Sequence, residues 1–205
     1  MGDAKSAGGR AYRMGKRAED MAATRQDIVE AAVRLHGTLG PAATTVSAVA
    51  LEAGVTRLTV YRHFPDDGAL IAACSAHWRG LHPAPDLAGW AAVADPEERL
   101  RSALAETYAW ARTAAPMLSK VYRDLEVMPA FVGENIAREQ QARVAVLMKG
   151  FGCRGRAATR LSVAIGHALH VGTWESLCDR GGLRDDEAVE LMTAAVLAAV
   201  AVRPA

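Results

Sequence analysis

Few cysteines and no long apolar run set the first limits on what this 205-residue sequence can be. Its three cysteines, Cys74, Cys153 and Cys178, are odd in number and far apart, which argues against a disulfide framework and favours a reducing cytoplasm. No apolar stretch reaches the roughly 18 residues that suggest a membrane span, and the N-terminus lacks the apolar segment of a secretory signal. The sequence also lacks strand–helix alternation, a nucleophile elbow, a phosphate loop and a metal-ligand cluster. We therefore expect no enzyme, no cofactor and no membrane partner.

Helical patterns are what the sequence has in their place, and two short ones stand together in residues 45–64. Apolar residues recur from 46 to 53 at the spacing of one helix face. Gly54 can take the left-handed conformation of a sharp turn, and Thr56 can cap a second helix. Helix, turn and helix in this order predict a helix-turn-helix unit. The outward side chains of the second helix would reach base edges and phosphates in a DNA major groove.

The same segment resembles the DNA-binding signature of TetR-type transcriptional repressors. The resemblance is carried by the run A-L-E-A-G-V-T-R-L-T-V-Y-R-H-F-P-D-D-G-A-L, which begins at Ala50, and it extends upstream to Thr24. One departure from the family pattern is Asp67, which stands where a phosphate-binding lysine is usual. The resemblance and the helix pattern together give seven expected DNA-binding residues, which are Thr45, Thr56, Arg57, Leu58, Thr59, Tyr61 and His63.

The basic start of the chain, the proline-containing segment at residues 81–85 and the domain roles that the resemblance implies give three expected parts. Residues 1–20 form a basic arm that we expect to be disordered, and residues 21–80 form the DNA-binding domain. Residues 81–205 form a domain for ligand binding and dimerisation. The arm has Lys5, Arg10, Arg13, Lys16 and Arg17 opposed before residue 18 only by Asp3. Such an arm could follow DNA phosphates without sequence preference, and a solvated tail without a role is the alternative.

Helix signals place the first helix of the DNA-binding domain between Thr24, its expected N-cap, and Leu39. His36 lies on this helix at a position that we interpret as core or core edge. In the C-terminal domain, Asp95 and the proline after it start another helix, and Pro116 is expected to interrupt it.

The last two predicted helices, at about 157–179 and about 185–202, are apolar on more than one face. The first has two apolar stripes, one of which contains His167, His170 and Trp174. A helix that is apolar on two faces must bury both, so we expect two helices from each subunit to form the four-helix interface of a homodimer. A larger monomeric core is the alternative.

A pocket for a small-molecule effector in the C-terminal domain is a further implication of the resemblance. Such pockets are lined mainly by apolar residues with a few polar ones. The candidates are Tyr108, Trp110, Met117, Tyr122, Met128, Phe131, His167, His170 and Trp174. A place in the core is the alternative for each of them.

The sequence as a whole predicts an all-α protein of about nine helices, in which a three-helix helix-turn-helix domain is joined to a C-terminal helical bundle. We expect a cytoplasmic, ligand-responsive regulator, acting as a repressor. It would bind a palindromic DNA operator as a homodimer and leave it when the effector binds. One alternative is a DNA-binding regulator whose C-terminal half only dimerises. A remote alternative is a metal-dependent enzyme that uses His167 and His170.

Overall fold

The computed structural model describes residues 4–201, with side chains from Met14 to Val200. Over these residues the chain forms ten α-helices and no strand, which confirms the predicted all-α fold. The helices belong to two compact units, which divide between Leu81 and His82. Within the described range, none of the helices is both long enough and apolar enough to cross a membrane.

The N-terminal unit has four helices, of which the first packs against the other three. They are α1 (Ala4–Thr38), α2 (Val46–Glu52), α3 (Arg57–His63) and α4 (Asp67–Leu81). Each helix gives its apolar face to one shared core. The buried residues of that core are Ile28, Val29, Ala31, Ala32, Val49, Ala50, Val60, Phe64, Leu70 and Cys74.

The first helix begins 20 residues earlier than predicted, at Ala4 in place of Thr24. Residues 4–20, which we expected to be a disordered arm, are therefore helical. Thr24 lies inside the helix and does not cap it, because its Oγ1 donates a hydrogen bond to the carbonyl of Asp20 at 2.9 Å. Ala, Lys, Arg and Glu dominate residues 16–23 and favour continued helix. The prediction for His36 is confirmed, since its side chain is buried.

The C-terminal unit contains the other six helices, with a short 3₁₀ turn at Leu125–Val127 and a π-helical turn at Glu175–Asp179. Its longest helix, α6, packs against α5, α7, α9 and α10, and α8 packs against α7 and α10. The helices are α5 (Leu87–Ala92), α6 (Pro96–Arg123), α7 (Ala130–Met148), α8 (Gly155–Ala168), α9 (Val171–Trp174) and α10 (Asp185–Ala201). The largest side chains buried among them include Trp90, Leu100, Leu104, Tyr108, Leu147, Leu161 and Ile165.

Pro116 does not interrupt α6, so that prediction is wrong. The proline is exposed, on the outer side of the helix, while Ala114 and Ala115 beside it are buried in the core. A proline on the outer face leaves the orphaned carbonyl of the preceding turn open to water. Burial of Ala114 and Ala115 before Pro116, with Leu118 after it packed partly buried against the same core, therefore keeps the helix continuous.

The predicted single helix over residues 157–179 is also wrong, because the chain breaks at Leu169 and His170. His170 has an extended backbone (φ −74°, ψ 134°), and its Nδ1 accepts the N–H of Gly172 at 3.0 Å. Thr173 Oγ1 donates to the carbonyl of His167 at 2.6 Å. Side chains thus satisfy the helix ends created by the break. A Cβ at Gly172 would meet His170 Nδ1 at 3.0 Å, so glycine leaves room for the histidine cap.

Candidate nucleic-acid interface

The turn between α2 and α3 has the geometry that the sequence predicts. Gly54 has φ +66°, in the left-handed region that glycine enters without penalty. The N–H of Val55 bonds to the carbonyl of Ala50 at 2.9 Å, which closes the turn. Thr56 Oγ1 then accepts the N–H of Thr59 at 3.1 Å and caps α3. The direction of the second helix is therefore set by local hydrogen bonds.

One buried residue of α3 and another directly after it hold this helix to the core, and its other side faces solvent. Val60 is buried, as is Phe64 directly after the helix. Leu58 is 71% exposed and Tyr61 is 42% exposed, although both are large and apolar or aromatic. Arg57 is also exposed. This is the combination of cation, apolar group and aromatic ring that base edges can contact.

The remaining expected DNA-binding residues differ in how free their side chains are. Thr45 Oγ1 caps α2 by accepting the N–H of Ala48 at 3.1 Å. The hydroxyls of Thr56 and Thr59 bond to each other at 2.9 Å. His63 is half-buried at the end of α3. The structure thus places six of the seven expected residues on or directly before one helix, and Thr45 at the start of the preceding helix.

An open cleft of about 360 Å³ lies beside α3, between this helix and the N-terminal part of α1. Its walls are Arg17, Asp20, Met21 and Thr24 from α1, and Thr59, Arg62 and His63 from α3. Sequence reasoning did not place Arg62 at the interface, and it placed Arg17 only in a basic arm that could follow DNA phosphates. The spacing of Arg62, three residues after Thr59, could have indicated the first. The place of Arg17 in the wall of the cleft depends on the unexpected length of α1.

Two acidic residues stand at the start of α4, near the DNA-binding helices in sequence. Asp66 Oδ1 accepts the N–H of Ala69 at 2.7 Å and so caps the helix. Asp67, the departure from the family pattern, is exposed in the first turn of α4. Its carboxylate favours the positive end of the helix but would repel a phosphate.

In the C-terminal unit, three of the expected pocket residues take part in packing. Tyr108 is fully buried and its hydroxyl donates to the carbonyl of Ala168 at 3.1 Å. Trp174 is buried and its Nε1 donates to Asp185 Oδ1 at 3.0 Å. Trp110 Nε1 donates to the carbonyl of His82 at 3.3 Å. For these three residues the indole or phenol hydrogen bond is already satisfied within the unit.

Tyr122 and His170 are two candidates that the structure brings together. Their ring centroids are 4.6 Å apart. Burial lowers the pKa of His170, and the nearby His167 lowers it further, while Glu175 opposes this. Burial also raises the pKa of Tyr122. Both rings are therefore favoured in their neutral forms.

Two polar residues that the sequence did not suggest lie near Tyr122 and His170 in the chain. Ser119 lies one helical turn before Tyr122 and donates a hydrogen bond to Glu175, which lies five residues after His170. Met117, Met128 and Phe131 are half-buried, whereas His167 is exposed.

Among the described residues, no group of three or more His, Cys, Asp or Glu side chains is arranged to hold a metal ion. The two histidines thus gain no third ligand in the part of the chain that is described.

Helix, left-handed glycine turn and capped, outward-facing helix define this unit as a helix-turn-helix DNA-binding domain. Residues 28–74 match the family model of bacterial regulatory proteins of the tetR family. The match lies wholly within the N-terminal unit, which therefore carries the DNA-binding signature of the tetR family. No curated protein is similar enough to be counted as a relative.

Solved structures share the fold over most of the chain. A TetR-like transcriptional regulator from Rhodococcus is 22% identical with a TM-score of 0.64, covering 88% of this chain and 97% of its own. A Clostridium perfringens protein, described as a candidate regulator of fatty acid metabolism, is 16% identical with a TM-score of 0.62, covering 86% of this chain and 100% of its own. A TetR transcription regulator from Haloarcula marismortui is 16% identical with a TM-score of 0.55, covering 88% and 97%. At these identities the similarity shows the fold.

Proposed function

We propose that this protein is a cytoplasmic repressor that binds a palindromic operator as a homodimer and leaves it when a small-molecule effector binds. The observation that supports DNA reading most strongly is the exposed side of α3. Leu58, an apolar side chain that is 71% exposed on the same helix as the exposed Arg57 and Tyr61, is open to a partner. A DNA major groove supplies that partner, because thymine presents a methyl group there.

Base reading is assigned to Arg57, Leu58 and Tyr61. Arginine can bond with both acceptors of guanine, and apolar side chains contact the thymine methyl. The caps at Thr45 and Thr56 fix the two helices, since each threonine oxygen satisfies a free backbone N–H. Local order of this kind reduces the entropy that binding would otherwise cost.

Dimerisation is assigned to α8 and α10. These helices pack against each other within the chain, yet Val163 on α8 is 66% exposed and Leu191 on α10 is 49% exposed. A second copy that presents the same pair of helices would cover both side chains around a two-fold axis. The symmetry of such a dimer requires two half-sites about one helical turn, roughly 34 Å, apart or a multiple of it.

Effector binding is assigned to the neighbourhood of Tyr122 and His170. Two neutral rings beside the Ser119–Glu175 hydrogen bond combine apolar surface with groups that fix orientation, as small-molecule sites do. Release of DNA requires that the effector bind more tightly to a dimer whose two DNA-binding domains are not spaced to fit the two half-sites. We assign no catalytic role and no cofactor to these residues.

Selection of duplexes from a random library by the full-length protein tests the proposal. We expect the selected sequences to be inverted repeats, and we expect two chains per duplex by light scattering. Selected sequences that are not inverted repeats, or a single chain per duplex, would contradict the dimer. Compounds that release the selected duplex should lose their effect in His170→Ala while its DNA affinity stays unchanged. If no compound releases the duplex, the regulator without an effector is favoured.

A further inference from the structure

The cleft beside α3 brings guanidinium groups of two helices to one opening. Arg17 comes from α1 and Arg62 from α3, and the His63 ring of α3 lines the same opening. Arg17 and Arg62 are both solvent-exposed. Asp20 also lines the cleft and opposes their charge. Arg17 lines the cleft because α1 starts at Ala4, well before the family-like segment begins at Thr24.

The position of the cleft on α3 determines what it would face on DNA. Thr59, Arg62 and His63 are spaced three and four residues apart, so they share one side of the helix. Leu58 and Tyr61 are not among the residues that line the cleft. A helix is about 10–12 Å in diameter, and the major groove is about 12 Å wide. When α3 contacts bases, its flanks therefore face the phosphates along the groove edges.

We infer that this cleft binds a phosphate of the operator backbone, with Arg17 and Arg62 donating hydrogen bonds to the phosphate oxygens. The inference rests on the proposed docking of α3 in the major groove, and it adds the N-terminal part of α1 to the interface. Guanidinium groups suit this contact because their donors match the geometry of phosphate oxygens. The contact contributes affinity and register on the duplex, without sequence preference.

Two single-charge variants of α1 separate the cleft from the general charge of the helix. Arg17→Ala removes a cleft residue, and Lys16→Ala removes an equal charge from the adjacent, exposed position that does not line the cleft. Affinity is measured by fluorescence anisotropy over a series of salt concentrations, on the selected operator and on a scrambled duplex. Each phosphate contact contributes about 0.9 to the slope of log affinity against log salt.

For a dimer, Arg17→Ala should lower the magnitude of the slope by about two on both duplexes, one contact for each subunit. Between about 50 mM and 200 mM salt, the wild-type protein should then lose roughly tenfold more affinity than the variant. Lys16→Ala should change the slope by less than half as much. Equal changes in the two variants would overturn the inference, because they would reflect overall charge alone.

Neutral methylphosphonate linkages, placed one at a time along the operator, locate the contact. One linkage in each half-site should weaken DNA binding by the wild-type protein and should leave DNA binding by Arg17→Ala unaffected. Additive losses at every linkage would overturn the cleft assignment. The scrambled duplex keeps the two proposals apart, because a phosphate contact does not need a specific sequence. Failure to select any sequence would count against the proposed function, whereas equal slopes would count against the cleft alone.

Discussion

Removing the buried guanidinium of Arg99 should destabilise the C-terminal unit far more than removing its neighbour on the same helix. Arg99 is 6% exposed and donates four hydrogen bonds to three backbone carbonyls. Two go to Val93 at 2.9 and 2.6 Å, one to Ala94 at 3.1 Å and one to Lys149 at 2.6 Å. The side chain thus ties the start of α6 to the segment before it and to the end of α7.

The expected loss for Arg99→Met follows from these acceptors. Hydrogen bonds to charged groups contribute about 1.5 kcal/mol each at the lower end of their range, so three acceptors give about 4.5 kcal/mol. Methionine keeps much of the apolar stem and no longer requires a buried charge, which offsets part of the loss. We expect the free energy of unfolding to fall by about 3 kcal/mol.

Arg101→Met is the matched control, because Arg101 lies two residues further along α6 and forms exposed ion pairs with Glu97, Glu98 and Glu190. Exposed pairs of this kind contribute little to stability. Urea unfolding of both full-length variants can be followed by tryptophan fluorescence, since three of the four tryptophans lie in the C-terminal unit. Similar shifts of the two midpoints, with unchanged slopes, would refute the role given to Arg99.

Three further predictions concern the N-terminal unit. Gly54→Ala should lose about 1–2 kcal/mol through backbone strain alone, because a Cβ there meets nothing within 4 Å. Urea midpoints should show a smaller loss for Gly54→Asn, and equal losses would point to another cause. Asp67→Lys should tighten binding to all duplexes and steepen its salt dependence; an unchanged slope would place this residue away from the DNA. Burial lowers the pKa of His36, so the folded unit resists a proton that the unfolded chain accepts. Its contribution to stability should be full above about pH 6.5 and decline as the pH falls towards the lower folded pKa. Thermal midpoints of His36→Gln should decline less over that window, and parallel curves would contradict this.

The features that sequence predicted well depend on neighbouring residues. Gly54 forms the turn because only its own backbone freedom is needed, and Thr56 caps α3 with an oxygen three residues from its partner. The predicted start of α6 at Asp95 holds for the same reason, since its Oδ1 accepts the N–H of Glu98 at 2.8 Å. Local chemistry of this kind can be read from a single sequence.

The features that sequence missed depend on packing between distant segments. Pro116 was expected to break α6, but buried alanines beside it hold the helix against the core. His170 breaks a helix that its apolar stripes predict to be continuous, because its ring caps the next turn. The cleft joins Arg17 to Arg62, which are 45 positions apart in the chain. Helix propensity describes each residue in its local segment, so it does not predict contacts between distant segments.

Comparing Arg57→Ala with Arg156→Ala on the selected operator and on a scrambled duplex tests most directly whether α3 reads DNA sequence. Both arginines are exposed and carry the same charge, but Arg156 lies at the start of α8, in the C-terminal unit. A lost guanine contact is worth about 1–3 kcal/mol, so Arg57→Ala should weaken operator binding about 5- to 150-fold. Binding of the scrambled duplex should weaken much less, and Arg156→Ala should change neither. Equal weakening of operator and scrambled DNA by Arg57→Ala would contradict the account, because Arg57 would then contact only phosphate.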